Sequence, residues 1–345
     1  MTAPASAPEH SPRQASGAFP TARDRRRTLV LLVVLTVAAA GFAFGLLAYD
    51  NPMEVGTRGF WLIAKRRATS IVVMAVVALC QAVATVAFQT VTNNRIITPG
   101  IMGFESLYIA IQTSAVYFFG MVGLTSLMGT GMFVVQLVAM VALSALLYGW
   151  LLSGKYANLQ IMLLIGIIIG GGLGSISTFM QRLLTPSEFD VLTARMFGSI
   201  SSAKAEYLPI AIPLCLVAAG GLFLVSRRLN VLALGAETAG NLGLNHRRHT
   251  IGVLLLVSVL MATSTALVGP MTFFGFLVAT LAYQAAGTHD HRVVLPMAFL
   301  LGFVVLSGAY FVMNNVFYAQ GVVSIIIELV GGSVFLVVIL RKGRL

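Results

Sequence analysis

Ten apolar runs, at about 29–48, 68–91, 100–119, 127–151, 159–182, 206–226, 247–268, 272–286, 292–313 and 321–341, leave this chain few ways to fold. A helix needs about 20 mostly apolar residues to cross a bilayer core. Inside that core every backbone N–H and C=O must find an internal partner, which only helices and closed barrels provide. The runs are helix-length, so the fold class is all-α: a polytopic membrane protein with about ten transmembrane helices. Only 10% of the 345 residues are charged and 58% are hydrophobic, whereas a soluble domain has about 25% charged residues. The eighth run is short, which predicts a tilted or half-buried helix.

Residues 1–27 are rich in Ala, Pro, Ser and Arg without an apolar pattern and read as a disordered cytoplasmic tail. Residues 28–345 form the transmembrane domain. Arg25–Arg27 ahead of an apolar run resembles a signal peptide, but the run is of full span length and more spans follow, which favours an uncleaved first helix. The net charge of +11 does not call for nucleic acid, because the basic residues sit in loops beside spans. With both termini inside, the inner side holds Arg13, Arg23, Arg25–Arg27, Arg95, Lys155, Arg227, Arg228, Arg247, Arg248, Arg292, Arg341, Lys342 and Arg344. The outer side holds the smaller set, Arg58, Lys65, Arg66, Arg67, Arg182, Arg195 and Lys204, as the positive-inside rule requires. The cluster Lys65–Arg67 runs against that rule and points to a task on the outer face. Cys80 and Cys215 lie in apolar runs and read as free thiols.

Between the sixth and seventh runs lies Leu234–Leu244, too short and polar to span and flanked by Arg227-Arg228 and Arg247-Arg248. Ala236, Ala239 and Leu242 recur at helical spacing, which predicts a short helix on the cytoplasmic side with these three on one face. Such a helix suits docking to a soluble partner; an ordinary interfacial loop helix has the same composition. Asp50–Arg67 and Thr185–Glu206 read as long outer loops. Within the second, Pro186-Ser187-Glu188 resembles a helix start, predicting a short helix from Glu188 to about Ser199. Gly166, Gly170, Gly171, Gly172 and Gly174 crowd the fifth run, where small residues let helices approach closely.

No phosphate-binding loop of the G-x-x-x-x-G-K-[ST] type occurs, so ATP hydrolysis by this chain is not expected. His289-Asp290-His291 is not a convincing metal site: three consecutive side chains diverge, and no distant Cys or His completes a set. Glu105 and Glu328 fall inside predicted spans, where a carboxylate is a functional candidate because unpaired charge is costly in lipid. Thr92-Asn93-Asn94-Arg95 and Thr98-Pro99-Gly100 break the chain with polar turn formers. Such a break at membrane depth belongs beside a cavity or packed protein.

Four stretches together resemble one family, the permease subunits of ABC importers for ferric siderophores, haem and cobalamin. They are Phe88-Gln89-Thr90 through Asn93-Asn94-Arg95, Pro99-Gly100 and Met102-Gly103; Met196-Phe197-Gly198-Ser199; Leu229-Asn230-Val231 with Leu234–Ala239 and Leu242-Gly243; and Gly269-Pro270, Thr272-Phe273, Gly275-Phe276-Leu277, Gly287, Asp290-His291-Arg292 and Pro296. The stretch around Asn93–Tyr108 is similar to a subgroup serving catecholate-type siderophores. The resemblance implies a cobalamin-importer-like permease fold in the bacterial cytoplasmic membrane, among lipid, with no enzyme activity or cofactor of its own. ATP and Mg would be bound by partner ATPase subunits. A coupling helix at about 232–244 would engage them through Leu234, Gly235, Glu237, Ala239, Leu242 and Gly243. Lys65, Arg66 and Arg67 would meet the acids of an extracytoplasmic siderophore-binding protein, since opposite charge steers and orients an encounter. Gln89, Asn93, Asn94, Glu105 and Glu328 become candidates for the translocation pathway. A second permease chain is implied, a heterodimer more than a homodimer.

The sequence departs from the family pattern in places. Ser70 stands where a second arginine is usual, Val278–Tyr283 lacks a Pro-His and an Arg, and Tyr310 and Asn314 replace an Asp and an Arg. The Leu-Pro-x-Gly before the tenth helix is also missing. A proton-coupled secondary transporter using Glu105 or Glu328 is the alternative, and the Leu234–Leu244 segment counts against it.

Overall fold

The computed structural model describes residues 17–19, 21–49, 53–126, 129–153, 159–315 and 323–342. Most of the amino-terminal tail lies outside this set, as do Arg13, Lys155 and Arg344. The described residues form helices α1 (Ala22–Ala48), α2 (Arg58–Val91), α3 (Phe104–Ser126), α4 (Thr130–Ser153), α5 (Leu159–Gln181), α6 (Pro186–Met196) and α7 (Leu208–Leu224). There follow α8 (Ser226–Leu232), α9 (Ala236–Asn241), α10 (His246–Val268), α11 (Phe274–Ala285), α12 (His291–Asn315) and α13 (Val323–Lys342), with no strand among them.

Among the described residues every apolar run coincides with a helix, and seven helices are long and apolar enough to cross a membrane. The other three deviate for local reasons. Gly120 (φ 60, ψ −166) breaks α3. The short eighth run is the twelve-residue α11, and the apolar part of α13 is confined to Ser324–Val337.

α2 and α10 form the centre, with 78% and 67% of their apolar windows buried, whereas α1 is peripheral at 6%. Small residues allow the close approach: Ala78, Ala82, Ala84 and Ala87 of α2 are fully buried. Gln81 Nε2 donates to Ser264 Oγ at 3.1 Å, tying α2 to α10. On α5 only part of the glycine cluster serves such packing. A Cβ on Gly170 would stand 3.1 Å from Gly103 Cα and one on Gly166 3.3 Å from Met102 Cε, but Gly171, Gly172 and Gly174 meet open space.

Three boundaries differ from the sequence reading. α2 starts at Arg58, capped by the Thr57 hydroxyl, so Lys65–Arg67 ride on a helix and not in a loop. At 34 residues α2 is about 50 Å long and its first turns project beyond the apolar run. The helix of the 185–206 segment is capped by Thr185, whose N–H and hydroxyl reach the Glu188 carboxylate at 3.0 and 2.8 Å, and it ends at Met196. The expected coupling helix at 232–244 is divided: α8 ends at Leu232 and α9 covers six residues. Gly235 (φ +90) sets the turn between them.

Candidate functional site

The two ends of α2 organise two polar regions at opposite ends of the bundle. At its carboxyl end, α2 closes with a left-handed Asn93 (φ 49), and the N–H groups of Asn94 and Asn93 return to the carbonyls of Gln89 and Thr90. This is the Schellman arrangement, which asparagine tolerates better than most residues. Asn94 Oδ1 then accepts from Ile96 N at 2.9 Å, turning the chain toward the 3₁₀ turn Pro99–Met102.

Against this end pack α8 and the α11–α12 turn. Asn230 of α8 donates from Nδ2 to Asp290 Oδ1 at 3.1 Å, and its Oδ1 accepts from His291 N at 2.9 Å and faces His291 Nδ1 at 2.6 Å. His291 Nε2 lies 2.6 Å from the Thr90 hydroxyl on α2. Arg292 grips Asp290, with Nη2 to Oδ2 at 2.6 Å; that hydrogen bonding holds the Asp290 carboxyl at about 2, below the ordinary carboxylate range. The Arg95 guanidinium sits 4.4 Å from the Tyr283 ring centre. The three residues of the His289–His291 run do diverge, toward Arg95, toward Arg292 with Asn230, and toward Thr90. No group of three His, Cys, Asp or Glu suited to a metal ion occurs among the described residues.

These side chains line a cavity of about 1110 Å³ that also takes in Asn93, Leu234 and Gly17-Ala18. Gln89 is 2% exposed. Its Nε2 donates to Arg95 O at 2.8 Å, and its Oε1 has no hydrogen-bond partner among the described residues. Beside the cavity, α9 ends in a second Schellman closure at Gly243 (φ +77), with Leu244 N bonded to Ala239 O. The expected shared face of Ala236, Ala239 and Leu242 is not formed. Ala239 is buried while Ala236 is exposed and Leu242 is 62% exposed, because the six-residue helix ends before Leu242 can join its inner side. Leu234, Glu237 and Leu242 are all exposed.

Further along the bundle, two of the sequence motifs meet backbone to backbone. Ser199 N donates to Val268 O at 2.8 Å, and a Cβ on Gly198 would fall 2.4 Å from Pro270 O. Next to them Thr272 Oγ1 donates to Glu105 Oε2 at 2.7 Å, so Glu105 is engaged by the α10–α11 connection. Glu328 is half-buried on α13 and is not brought to Gln89, Asn93 and Asn94.

At the amino-terminal end of α2, Arg67 Nη1 donates to Tyr49 O at 2.5 Å, serving the last turn of α1. Lys65 and Arg66 are exposed. A cavity of about 600 Å³ joins Arg66 and Arg67 to Ser70, Tyr310 and Asn314. Three positions at which the sequence departs from the family pattern are therefore neighbours in space.

A match to the FecCD transport family extends over residues 28–341. The chain belongs to the FecCD transport family. It is 52% identical to the petrobactin import system permease protein FatC of Bacillus anthracis, over 97% of this chain and 95% of that one. It is 26% identical to the petrobactin import system permease protein FatD of the same organism, over 55% of this chain and 56% of that one. A solved metal-chelate type ABC transporter in an inward-facing conformation shares the fold, with a TM-score of 0.78, 22% identity, 91% of this chain covered and 99% of that one. The chain is a multi-pass membrane permease subunit of an ABC siderophore importer, a transport component and not an enzyme.

Proposed function

We propose that this permease carries ferric petrobactin or a chemically close siderophore inward across the cytoplasmic membrane, with both termini on the cytoplasmic side. The observation that supports the substrate is the 52% identity to FatC over nearly the whole of both chains. The partner permease is a different chain: this one is far closer to FatC than to FatD, two permeases of petrobactin import in one organism. ATP and Mg are bound by ATPase subunits that receive α9, and exposed Leu234, Glu237 and Leu242 supply a mixed apolar and acidic contact. Their neighbours Gly235 and Gly243 hold positive φ, and buried Ala239 seats α9 on the bundle.

At the far end, a siderophore-binding protein docks on Lys65 and Arg66, with Arg67 shared between that face and the α1 terminus. Gln89, Asn93 and Asn94 contact the chelate on the cytoplasmic side of its path; Glu105, bonded to Thr272, shapes the middle. Glu328 contributes from α13. Residues 28–345 act as the permease domain, and residues 1–27 as a cytoplasmic appendage whose last part, from Ala22, begins α1.

The test is uptake of radioiron presented on petrobactin, on a hydroxamate and on haem, in cells lacking the gene and in cells complemented with it. Restored uptake of petrobactin iron alone is the expected result. Restoration of only another chelate overturns the substrate assignment.

A further inference from the structure

A hydrogen-bonded chain of three buried or half-buried side chains crosses from the α8–α9 segment to the pathway helix α2. Asn230 uses both ends of its amide on the start of α12: Oδ1 takes the His291 N–H and Nδ1–H, and Nδ2 donates to Asp290. Because Nδ1 of His291 donates to Asn230, its Nε2 carries the lone pair and accepts a hydrogen bond from the Thr90 hydroxyl at 2.6 Å. The Val86 carbonyl, also within reach of Thr90 at 2.8 Å, has the Tyr283 hydroxyl at 3.3 Å as a donor. His291 is 3% exposed and Thr90 6%; if their bond breaks, Thr90 still has the Val86 carbonyl, whereas the mostly buried His291 Nε2 loses its partner. Thr90 directly follows Gln89, a residue of the cavity wall whose buried Oε1 has no hydrogen-bond partner among the described residues.

We propose that Asn230, His291 and Thr90 form the mechanical link through which displacement of the α8–α9 segment repositions the last turn of α2 and the Gln89 carbonyl. Three elements distant in sequence, α8, α12 and α2, are joined here by directional bonds, whereas apolar contacts between helices can slide. A pull on Asn230 turns the start of α12, and His291 passes the movement to Thr90. These are positioning residues: none of them need touch the chelate. The inference rests on the reading above that an ATPase engages α9.

The test uses the complete transporter, with both permeases, ATPase and binding protein, in proteoliposomes, and reads chelate transported per ATP hydrolysed. Thr90→Val keeps the shape and removes the hydroxyl; Thr90→Ser keeps the hydroxyl. We expect Thr90→Val to retain ATP hydrolysis while transport per ATP falls by about fivefold, the low end of coupling energies between sites, and Thr90→Ser to restore the ratio. An unchanged ratio in Thr90→Val overturns the proposal, as does a parallel loss of hydrolysis and transport that Thr90→Ser shares. If Thr90→Val does not assemble, the ratio is read on Thr90→Ala against the same serine control. Wild-type transport that proceeds without ATP would instead overturn the ATPase reading itself, independently of the variants.

Discussion

Gly198→Ala brings a new methyl closer to backbone than alanine would at any other described glycine. The added methyl would lie 2.4 Å from the Pro270 carbonyl oxygen and 2.9 Å from Met271 Cγ. Ordinary van der Waals contact begins near 3.4 Å, so something must move by about 1 Å. The methionine can yield, but the carbonyl is the backbone of Pro270 itself, directly after Gly269 (φ +92), and the Ser199 N to Val268 O bond at 2.8 Å holds the two segments together. Overpacking of this kind costs about 1–3 kcal/mol, and an immobile neighbour puts the cost at the upper end. At about 2–4 °C per kcal/mol, the apparent melting temperature falls by about 6–12 °C.

Both cysteines are free and buried, so a thiol-reactive dye reports unfolding without an added label. Scans at one fixed rate are needed because membrane proteins often unfold irreversibly. Gly41→Ala is the control: it lies on peripheral α1 with nothing within 4 Å, and alanine there is neutral or stabilising by up to about 1 kcal/mol. Equal shifts for the two variants, or a Gly198→Ala shift below 2 °C, would refute the close-approach argument.

Four further outcomes follow from the geometry. Asp290 has its carboxyl lowered to about 2 from 3.8, so its contribution, on the order of 2 kcal/mol, is complete above pH 4 and disappears as pH falls toward 2. Asp290→Asn should accordingly be less stable than wild type at pH 7, with the gap closing between pH 4 and 2 by intrinsic fluorescence. Lys65→Glu with Arg66→Glu should slow binding-protein association roughly tenfold at low salt and much less at high salt, as read by surface plasmon resonance. Thr185→Ala should remove about 1 kcal/mol of α6 stability, seen as faster amide exchange over Pro186–Met196. Glu237→Arg should reduce ATPase recovered with the purified permease while leaving its membrane insertion intact; full recovery would count against α9 as the docking element.

What was legible in the sequence was what is local. Hydropathy over twenty residues places the apolar helices because each span must satisfy its own backbone. α2 escaped at its start because Lys65, Arg66 and Arg67 look like loop charge, although Thr57 stands at the position of a cap. The division of the α8–α9 segment also had a signal: Gly235 and Gly243 bracket the six helical residues of α9. Arg67's service to α1 depends on how far a long side chain reaches, which spacing does not encode. The Asn230–His291–Thr90 chain joins residues far apart in sequence, and motif order marked those stretches without saying that they touch. Glu105 stood out as a carboxylate in a span, but its Thr272 partner became visible only in three dimensions.

The central claim, ATP-driven import of a ferric siderophore, is tested most directly by petrobactin-iron uptake under separated energy sources. Cells complemented with this chain are assayed once with ATP depleted and once with the proton gradient collapsed while ATP is maintained. Uptake that stops in the first condition and continues in the second is the predicted result. Uptake that continues without ATP and stops with the gradient would contradict it.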